Sequence, residues 1–463
     1  MLTELNKRMD ILEEGFEHIW LPYTQMKNAP LPPLVQSTKG NYIILEDGTK
    51  LIDGISSWWS ACHGYNHPHI IKETAKQLKK MPHVMLAGLA NEPAYKLTTR
   101  LVKFVNSGHE NAPTKVDRFT EKKLNKVFLS DSGSIAVEVA LKIAIQYYIN
   151  QDTKEVLTKV DGSIEGTKPD KFGSINQPKK NKIIAFHNSY HGDTMAGMSL
   201  CDPESGMHAK FKNYIPKQLT TKLPITSQDF ENFENFIKEN HEQAAAIIIE
   251  PLVQCSGGMK FHNSEILDKI VQITRNHHIL IIFDECATGF YRTGKKFAFH
   301  HTNIVPDILV IGKALTGGTM TLAATLTTDK IYNQFLDYSL DKALMHGPTF
   351  MGNSLACAAA NASLDIFESS DYTQNTEIIA NRFRRELKIF NNHPLIKNIR
   401  ILGAIAVLEL HTEDWEFIFN LRTKLLKEKV WLRPFGNVIY FMPPLTIKKH
   451  EIRKLVRAVK NSL

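Results

Sequence analysis

The middle of the chain is a series of short, continuous apolar runs that alternate with helical patterns, and this succession is what most limits the possible folds. The runs lack the apolar–polar alternation of a half-exposed strand, which is typical of strands covered by helices on both faces. Strands and helices in alternation predict an α/β fold with a largely parallel sheet. Ligands of such sheets bind beyond the carboxyl ends of the strands. The runs are 127–129, 183–186, 244–249, 279–283, 308–311 and 322–325.

The same patterns divide the chain into three parts. An N-terminal segment (1–65) precedes a large domain (66–342), and residues 343–463 change to helices and short runs that predict a smaller α+β domain. We expect the N-terminal segment to contribute to that smaller domain. The polar, weakly periodic stretches 106–123 and 151–180 predict surface insertions, the second a mobile loop.

Charge and cysteine usage weigh against several protein classes. The 56 basic and 48 acidic residues give a net charge of +8, but the lysines are spread out, which favours a solvated surface over a nucleic-acid site. The five cysteines are widely spaced, and no C-x-x-C motif occurs in the sequence. We therefore expect reduced thiols in a cytoplasmic protein. The histidines lack metal-ligand spacing, so no metal is predicted. Residues 1–20 lack the apolar core of a signal peptide, and no run approaches the roughly 20 apolar residues that span a bilayer.

Two charged residues follow apolar runs. Lys313 comes after 308–311 among small residues, where a lysine can form a Schiff base with a carbonyl. Taken alone, a lysine after a glycine is more often a surface residue that caps a turn. Asp284 ends the run 279–283, where a carboxylate can keep a pyridinium nitrogen protonated, although a helix cap or metal ligand is the alternative. Glu285 is its neighbour on a strand and points to the opposite face, so the two carboxylates should not share a site.

Two further segments suit a phosphorylated, planar ligand. Gly133 and Ser134 lie between a run and a predicted helix (135–148), where backbone N–H groups and the positive helix end bind anions. Serine there is also a common helix cap. Tyr190 follows the run 183–186, and its ring could stack on a cofactor or simply pack in a loop.

In this chain order, the four elements resemble the class III aminotransferases of pyridoxal phosphate (PLP) fold type I. The resemblance covers residues 20–444 and is strongest in 283–294 and 307–318. It implies PLP as cofactor and a fold with a large PLP-binding domain and a smaller domain from the chain termini. The residue roles it implies are Lys313 as the Schiff-base lysine, Asp284 as the pyridinium partner, Gly133 and Ser134 on the phosphate, and Tyr190 at the ring.

The segment 346–350 resembles the family segment that reaches the phosphate of a neighbouring subunit. The resemblance therefore implies a homodimer with shared active sites, to which Gly347, Pro348 and Thr349 contribute.

Segments 20–26, 56–68 and 432–444 resemble family members of biotin synthesis that aminate a keto acid with a long apolar chain and a terminal carboxylate. Trp58 and Trp59 can supply an apolar wall, and Arg433 can clamp the carboxylate. Tyr23 has a phenol suited to substrate recognition, and Tyr190, Lys313 and Gly347 complete the implied substrate contacts. The implied amino donor is S-adenosylmethionine, although lysine-using relatives exist.

One position departs from the family pattern, since Tyr291 stands where a glycine is usual, next to Arg292, which is expected near the substrate. Two alternatives remain from the sequence. One is a class III aminotransferase for an ω-amino acid or ornithine. The other is a non-catalytic PLP-binding or nucleic-acid-binding protein, for which the isoelectric point of 9.0 is the motive.

Overall fold

A computed structural model describes residues 2–108, 123–159, 179–203, 206–338 and 340–463, with the side chains of 2–9 and 152–159 left out. Most of the two predicted insertions, residues 109–122 and 160–178, lies outside this described part. The prediction of a mobile loop over 151–180 is wrong for residues 151–159, which are helical.

Sixteen strands occur among these residues, in four sheets. They are β1 (Val35–Lys39), β2 (Tyr42–Leu45), β3 (Lys50–Asp53), β4 (Leu124–Ser130), β5 (Lys182–Phe186), β6 (Leu219–Thr221), β7 (Ala244–Ile249), β8 (Val253–Gln254), β9 (Lys260–Phe261), β10 (Leu280–Asp284), β11 (Ile308–Ile311), β12 (Ala323–Thr328), β13 (Ile396–Leu402), β14 (Ile405–Leu410), β15 (Val430–Trp431) and β16 (Val438–Phe441).

Thirteen α-helical segments accompany the strands in the described ranges, and none of them is long and apolar enough to cross a membrane. They are α1 (Leu2–His18), α2 (Ser56–Trp59), α3 (Pro68–Lys80), α4 (Glu92–Asn106), α5 (Gly133–Lys159), α6 (Met195–Ser199), α7 (Ser227–Asn240), α8 (Ser264–Arg275), α9 (Asp329–Tyr332), α10 (Ser354–Ser369), α11 (Tyr372–Glu386), α12 (Trp415–Lys427) and α13 (Lys449–Ser462).

The central sheet has seven strands in the order β4–β12–β11–β10–β7–β5–β6. Strands β11, β10, β7, β5 and β6 are parallel, which confirms the predicted mostly parallel α/β sheet. The run 322–325 was expected to belong to the parallel set, but β12 is antiparallel to both of its neighbours. The connection 312–322 is too short for a crossover, which needs a dozen or more residues, so the chain returns directly alongside β11. Because β12 is antiparallel to both β11 and β4, β4 runs in the same direction as β11.

Both faces of this sheet are buried. Along β10, Ile281 joins one apolar cluster and Ile282 the other, because successive side chains of a strand point to opposite faces. Helix α5 packs on one face, against β7, β10, β11 and β12. The helix is longer than the predicted 135–148. This coverage explains why the runs in the sequence show no alternation.

The two ends of the chain meet in smaller sheets. Strand β15 pairs in parallel with β3, so N-terminal and C-terminal residues share one sheet, of order β1–β2–β3–β15. The predicted run 401–410 is a hairpin of β13 and β14, which turns at Gly403 with a φ of 55°. Helix α10 contacts α3 and α4 and so joins the C-terminal part to the large body. The domain limits at 65 and 342 stay a prediction.

Candidate active site

The carboxyl edge of the central sheet collects the chemistry-bearing side chains. Lys313 follows β11, Asp284 ends β10, Glu250 follows β7 and His191 lies in the loop after β5. These four strands are neighbours in the sheet. Ser134 belongs to the start of α5, which follows β4 at the same edge. The sheet therefore brings together residues that lie far apart in the sequence.

Asp284 is buried and holds two hydrogen bonds. Its Oδ2 lies 2.9 Å from Nδ1 of His191, and its Oδ1 accepts the backbone N–H of Cys286 at 3.1 Å. Burial acts to raise the pKa of Asp284, but the hydrogen bond from His191 and the charge of Lys313 outweigh burial and leave the pKa below its usual value. Asp284 is thus held as a carboxylate, and each oxygen keeps a lone pair for a further donor.

Glu250 is a second buried carboxyl group at this edge, and the sequence did not reveal its role. Its two oxygens accept the backbone N–H groups of Tyr190 at 3.0 Å and of Cys255 at 2.9 Å. Burial raises the pKa of Glu250 to about 7, while His191 acts to lower it and Asp284 to raise it. Its position directly after the run 244–249 was the only signal in the sequence. By contrast Glu285 caps the turn at Ala298 and does not face the site, as predicted.

Lys313 begins a 3₁₀ turn with a positive φ of 41°. Its Nζ stands over the Trp59 ring, 5.0 Å from the centroid. The Nζ forms no hydrogen bond or ion pair with any residue of the described ranges. An amine that is close to a carboxylate and yet unpaired suits covalent attachment to an aldehyde.

The start of α5 forms a close-packed cradle. A Cβ at Gly192, where φ is 112°, would lie 2.1 Å from Oγ of Ser134. A Cβ at Gly133 would lie 2.9 Å from Sγ of Cys286. Ser134 Oγ also accepts the backbone N–H of Asp193 at 3.3 Å. Glycine at 133 and 192 thus lets Cys286 and Ser134 pack directly against the backbone at the positive helix end, where N–H groups can bind an anion. Together with Lys313 and Asp284, this cradle fits pyridoxal phosphate.

Tyr190 is tied to a carboxylate that the sequence analysis missed. The Tyr190 hydroxyl donates to Asp193 at 2.9 Å, and the Tyr23 hydroxyl donates to the other oxygen of Asp193 at 2.6 Å. Burial, together with the bonds to Tyr23 and Asp193, raises the pKa of Tyr190, so its phenol stays protonated. Its ring faces His208 with centroids 6.1 Å apart. A cavity of about 500 Å³ opens beside Tyr190 and extends to Phe435.

Arg433 lies over the exposed face of Trp58. Its guanidinium carbon is 4.7 Å from the Trp58 ring centroid, and Tyr23 meets the same ring edge-on at 5.9 Å. Burial lowers the pKa of Arg433, but an arginine remains charged. Within the described residues it has no acidic partner, so its fork is open to a carboxylate ligand. Trp59 is buried and packs against Tyr440.

Trp58 and Trp59 belong to α2, which is one turn of left-handed backbone. The φ values of Ser56, Ser57, Trp58 and Trp59 are 51°, 49°, 57° and 75°. None of the four is glycine, and each such residue costs roughly 1–2 kcal/mol in this conformation. Strain of this kind persists only where surrounding contacts enforce it.

Arg292 is fully buried. Its Nη1 donates to the carbonyl of Pro443 at 2.5 Å, and its Nη2 is buried without a partner among the residues described. Burial lowers the pKa of Arg292 to about 10. Its neighbour Tyr291, the departure from the family glycine, has a φ of 65° and stacks on Phe367, 5.6 Å away. The tyrosine thus fills a space in the aromatic core.

The loop with Gly347, Pro348 and Thr349 lies at the surface. Thr349 is exposed and Pro348 half-buried, and a Cβ at Gly347 would meet nothing within 4 Å. In the part of the chain that the structure describes, none of the three forms a hydrogen bond with Lys313 or Asp284. Their place in a shared site stays a prediction.

Known proteins resemble the chain over nearly its whole length. A family model described as aminotransferase class III matches residues 23–463. The adenosylmethionine-8-amino-7-oxononanoate aminotransferase of Buchnera aphidicola subsp. Schizaphis graminum is 40% identical over 456 residues, 96% of this chain and 95% of that protein. The enzyme of the same name from Corynebacterium glutamicum is 36% identical, covering 96% of this chain and 97% of its own. The crystal structure of the Methanocaldococcus jannaschii enzyme of that name superposes with a TM-score of 0.85, at 31% identity and 98% coverage of both chains.

Proposed function

Because the chain belongs to the class III aminotransferase family, we propose that it transfers an amino group to 8-amino-7-oxononanoate and forms 7,8-diaminononanoate, a step of biotin synthesis. The relatives that share its whole length carry this acceptor in their names. The structural observation that carries the proposal is an unpaired Lys313 amine beside the buried Asp284 carboxylate, at the ends of adjacent strands.

The family uses pyridoxal 5′-phosphate, and the residues at the sheet edge fit it. When bound, this cofactor supplies an aldehyde that takes up the amino group and a ring that withdraws electrons from the reacting carbon. Gly133 and Ser134 would hold its phosphate with N–H and hydroxyl groups, and Tyr190 would cover its ring.

In this proposal, one side chain keeps a nitrogen protonated and a second transfers a proton. The Asp284 carboxylate, kept ionised by His191, would keep the ring nitrogen of the cofactor protonated. The Lys313 Nζ would attach the aldehyde of the cofactor, and it would move a proton at the reacting carbon of the substrate. In the protein without cofactor, the charge of Lys313 helps to lower the pKa of Asp284.

In this proposal, the residues around α2 bind the acceptor. Arg433 would bind the terminal carboxylate of the keto acid in a bidentate pair. The rings of Trp58 and Trp59 would line its apolar chain. The Tyr23 hydroxyl, which donates to Asp193, stands at the mouth of this path beside Tyr190. Arg292, which donates to the carbonyl of Pro443, would lie near the acceptor.

We infer S-adenosylmethionine as the amino donor, because the relatives carry it in their names. We further infer a homodimer, because the loop 347–349 is exposed and is flanked by the exposed side chains of Met345 and Phe350. A cytoplasmic location suits the five free thiols.

A direct assay tests the proposed reaction. Purified protein with pyridoxal phosphate and 8-amino-7-oxononanoate should form 7,8-diaminononanoate, detected by mass spectrometry, when S-adenosylmethionine is the donor. Lysine, ornithine and 4-aminobutyrate serve as alternative donors. If the protein uses ornithine or 4-aminobutyrate as a donor but does not aminate 8-amino-7-oxononanoate in any mixture, the proposed acceptor is wrong. Light scattering of the pure protein tests the dimer.

A further inference from the structure

The left-handed turn α2 places two adjacent indole rings next to two different cationic side chains. The Trp58 ring lies under the Arg433 guanidinium at 4.7 Å, and the Trp59 ring lies under the Lys313 Nζ at 5.0 Å. The first cation is the proposed partner of the acceptor carboxylate, and the second acts at the reacting carbon. One short backbone unit therefore links both ends of the acceptor path.

The turn is held in its strained conformation by Asp53. This carboxylate is fully buried and accepts the backbone N–H groups of Ile55 at 2.8 Å and Ser57 at 2.9 Å. The Tyr65 hydroxyl donates to it at 2.6 Å. On the other side, the Ser56 hydroxyl donates to the carbonyl of Met442 at 2.7 Å. These bonds fasten the turn between the end of β3 and the end of β16.

We propose that α2 sets the length of the acceptor chain that the enzyme accepts, and that Asp53 is the positioning residue that holds it at that setting. Successive side chains of a left-handed turn point in different directions, so Trp58 and Trp59 keep their separate partners only while all four residues stay left-handed. A relaxation toward the common right-handed conformation would turn both rings away from Arg433 and Lys313. The inference rests on the proposed function, since it takes Arg433 as the carboxylate partner.

The distance between a fixed guanidinium and a fixed amine admits a chain of one length best. A missing or additional methylene in an apolar path typically changes kcat/KM by about tenfold or more. Loosening the turn should reduce this selectivity more than it reduces turnover of the natural acceptor. A residue that merely stabilises the fold would not change the ratio between acceptors.

The test compares kcat/KM for the acceptor and for homologues with one methylene fewer or more between carboxylate and ketone. Wild type should prefer the natural length about tenfold, and Asp53→Asn should reduce the preference to less than about threefold. Near-ultraviolet circular dichroism should show altered tryptophan bands in the same variant. Asp307→Asn is the matched control, because Asp307 is half-buried and also accepts a backbone N–H, from Ile281 at 2.8 Å, but lies at the opposite edge of the sheet. It should keep the wild-type ratio and tryptophan bands.

Tyr65→Phe is a second variant for the case in which Asp53→Asn does not fold, since it removes one donor and keeps the ring. It should lower the length preference about two- to threefold. An unchanged ratio in the folded variants, or an equal loss in Asp307→Asn, would overturn the inference and leave the proposed function standing. A wild-type protein that turns over neither 8-amino-7-oxononanoate nor any of the homologues would overturn both.

Discussion

The Nδ1 atom of His191 lies 2.9 Å from Oδ2 of Asp284, and both side chains are buried. Because Asp284 is held as a carboxylate, Nδ1 must carry the proton and donate it to this bond. His191 lies in the loop after β5, Asp284 is the last residue of β10, and β7 lies between these two strands. This hydrogen bond fixes the orientation of the carboxylate and lowers its pKa.

Replacing His191 with phenylalanine should weaken cofactor binding. The variant loses a hydrogen bond to a buried charge, which is typically about 1.5–3 kcal/mol, so the dissociation constant of pyridoxal phosphate should rise roughly 10- to 100-fold. The pKa of Asp284 should rise as well. Titration of the cofactor-free protein, followed by absorbance, measures the affinity. His191→Asn, whose amide can donate to the carboxylate, should recover part of the loss, and wild-type affinity in the phenylalanine variant would contradict the assigned role.

Lys313→Ala should lower the turnover rate at least roughly 10³-fold, because the variant lacks both the covalent attachment point and the group that transfers the proton. Borohydride reduction followed by peptide mapping should place the cofactor on Lys313 in the wild type and on no lysine in the variant. Lys103→Ala, on the exposed face of α4, is the control and should behave as wild type. Cofactor found on another lysine of the wild type would show that the assignment is wrong.

The sequence predicted the parts of this site that depend on local pattern. The run 244–249 is β7 with the same limits, and Asp284 and Glu285 face opposite sides because a strand alternates with period two. The contact of Asp284 with His191 joins residues 93 positions apart and depends on strand order, which spacing does not reveal.

Two other features were equally hidden in the sequence. Nothing in Ser-Ser-Trp-Trp marks a left-handed turn, since the usual sign is glycine. The reversal of β12 depends on the shortness of its connection, whereas its apolar run resembles those of the parallel strands. In both cases tertiary contacts, such as those of Asp53 with α2, decide the outcome.

Gly192→Ala should damage the phosphate cradle. Its added Cβ would fall 2.1 Å from Ser134 Oγ, so the serine must move, and we expect cofactor affinity to fall at least tenfold. Gly48→Ala is the matched control, because Gly48 also has a positive φ, 81°, but nothing lies within 4 Å of its added Cβ. Both variants should lose about 1 kcal/mol of stability from the backbone, and only Gly192→Ala should lose affinity. Equal affinities would place the phosphate elsewhere.

Arg433→Gln should affect the acceptor half of the reaction alone. Losing a bidentate pair with a carboxylate should raise the KM for 8-amino-7-oxononanoate roughly 10- to 100-fold. The rate of the donor half-reaction, followed by cofactor absorbance in single turnovers, should stay near wild type. A variant that is impaired with the donor and unimpaired with the acceptor would reverse the assignment of Arg433.

His262 should make the fold sensitive to acid. Its Nε2 accepts the backbone N–H of Leu252 at 3.0 Å, which only an unprotonated nitrogen can do, and burial lowers its pKa to about 4. Between the ordinary value of about 6.5 and 4, the unfolded chain therefore binds a proton that the folded chain does not. The contribution of His262 is complete above pH 6.5 and is lost as the pH falls toward 4, a change of roughly 2–4 kcal/mol.

Urea unfolding of His262→Gln across this range should show a weaker pH dependence, because the amide oxygen can accept the same N–H without titrating. Glu250, with its pKa raised to about 7, acts in the opposite direction in both proteins, so the difference between variant and wild type isolates His262. Parallel stability curves for the two proteins would mean that His262 does not titrate in this way.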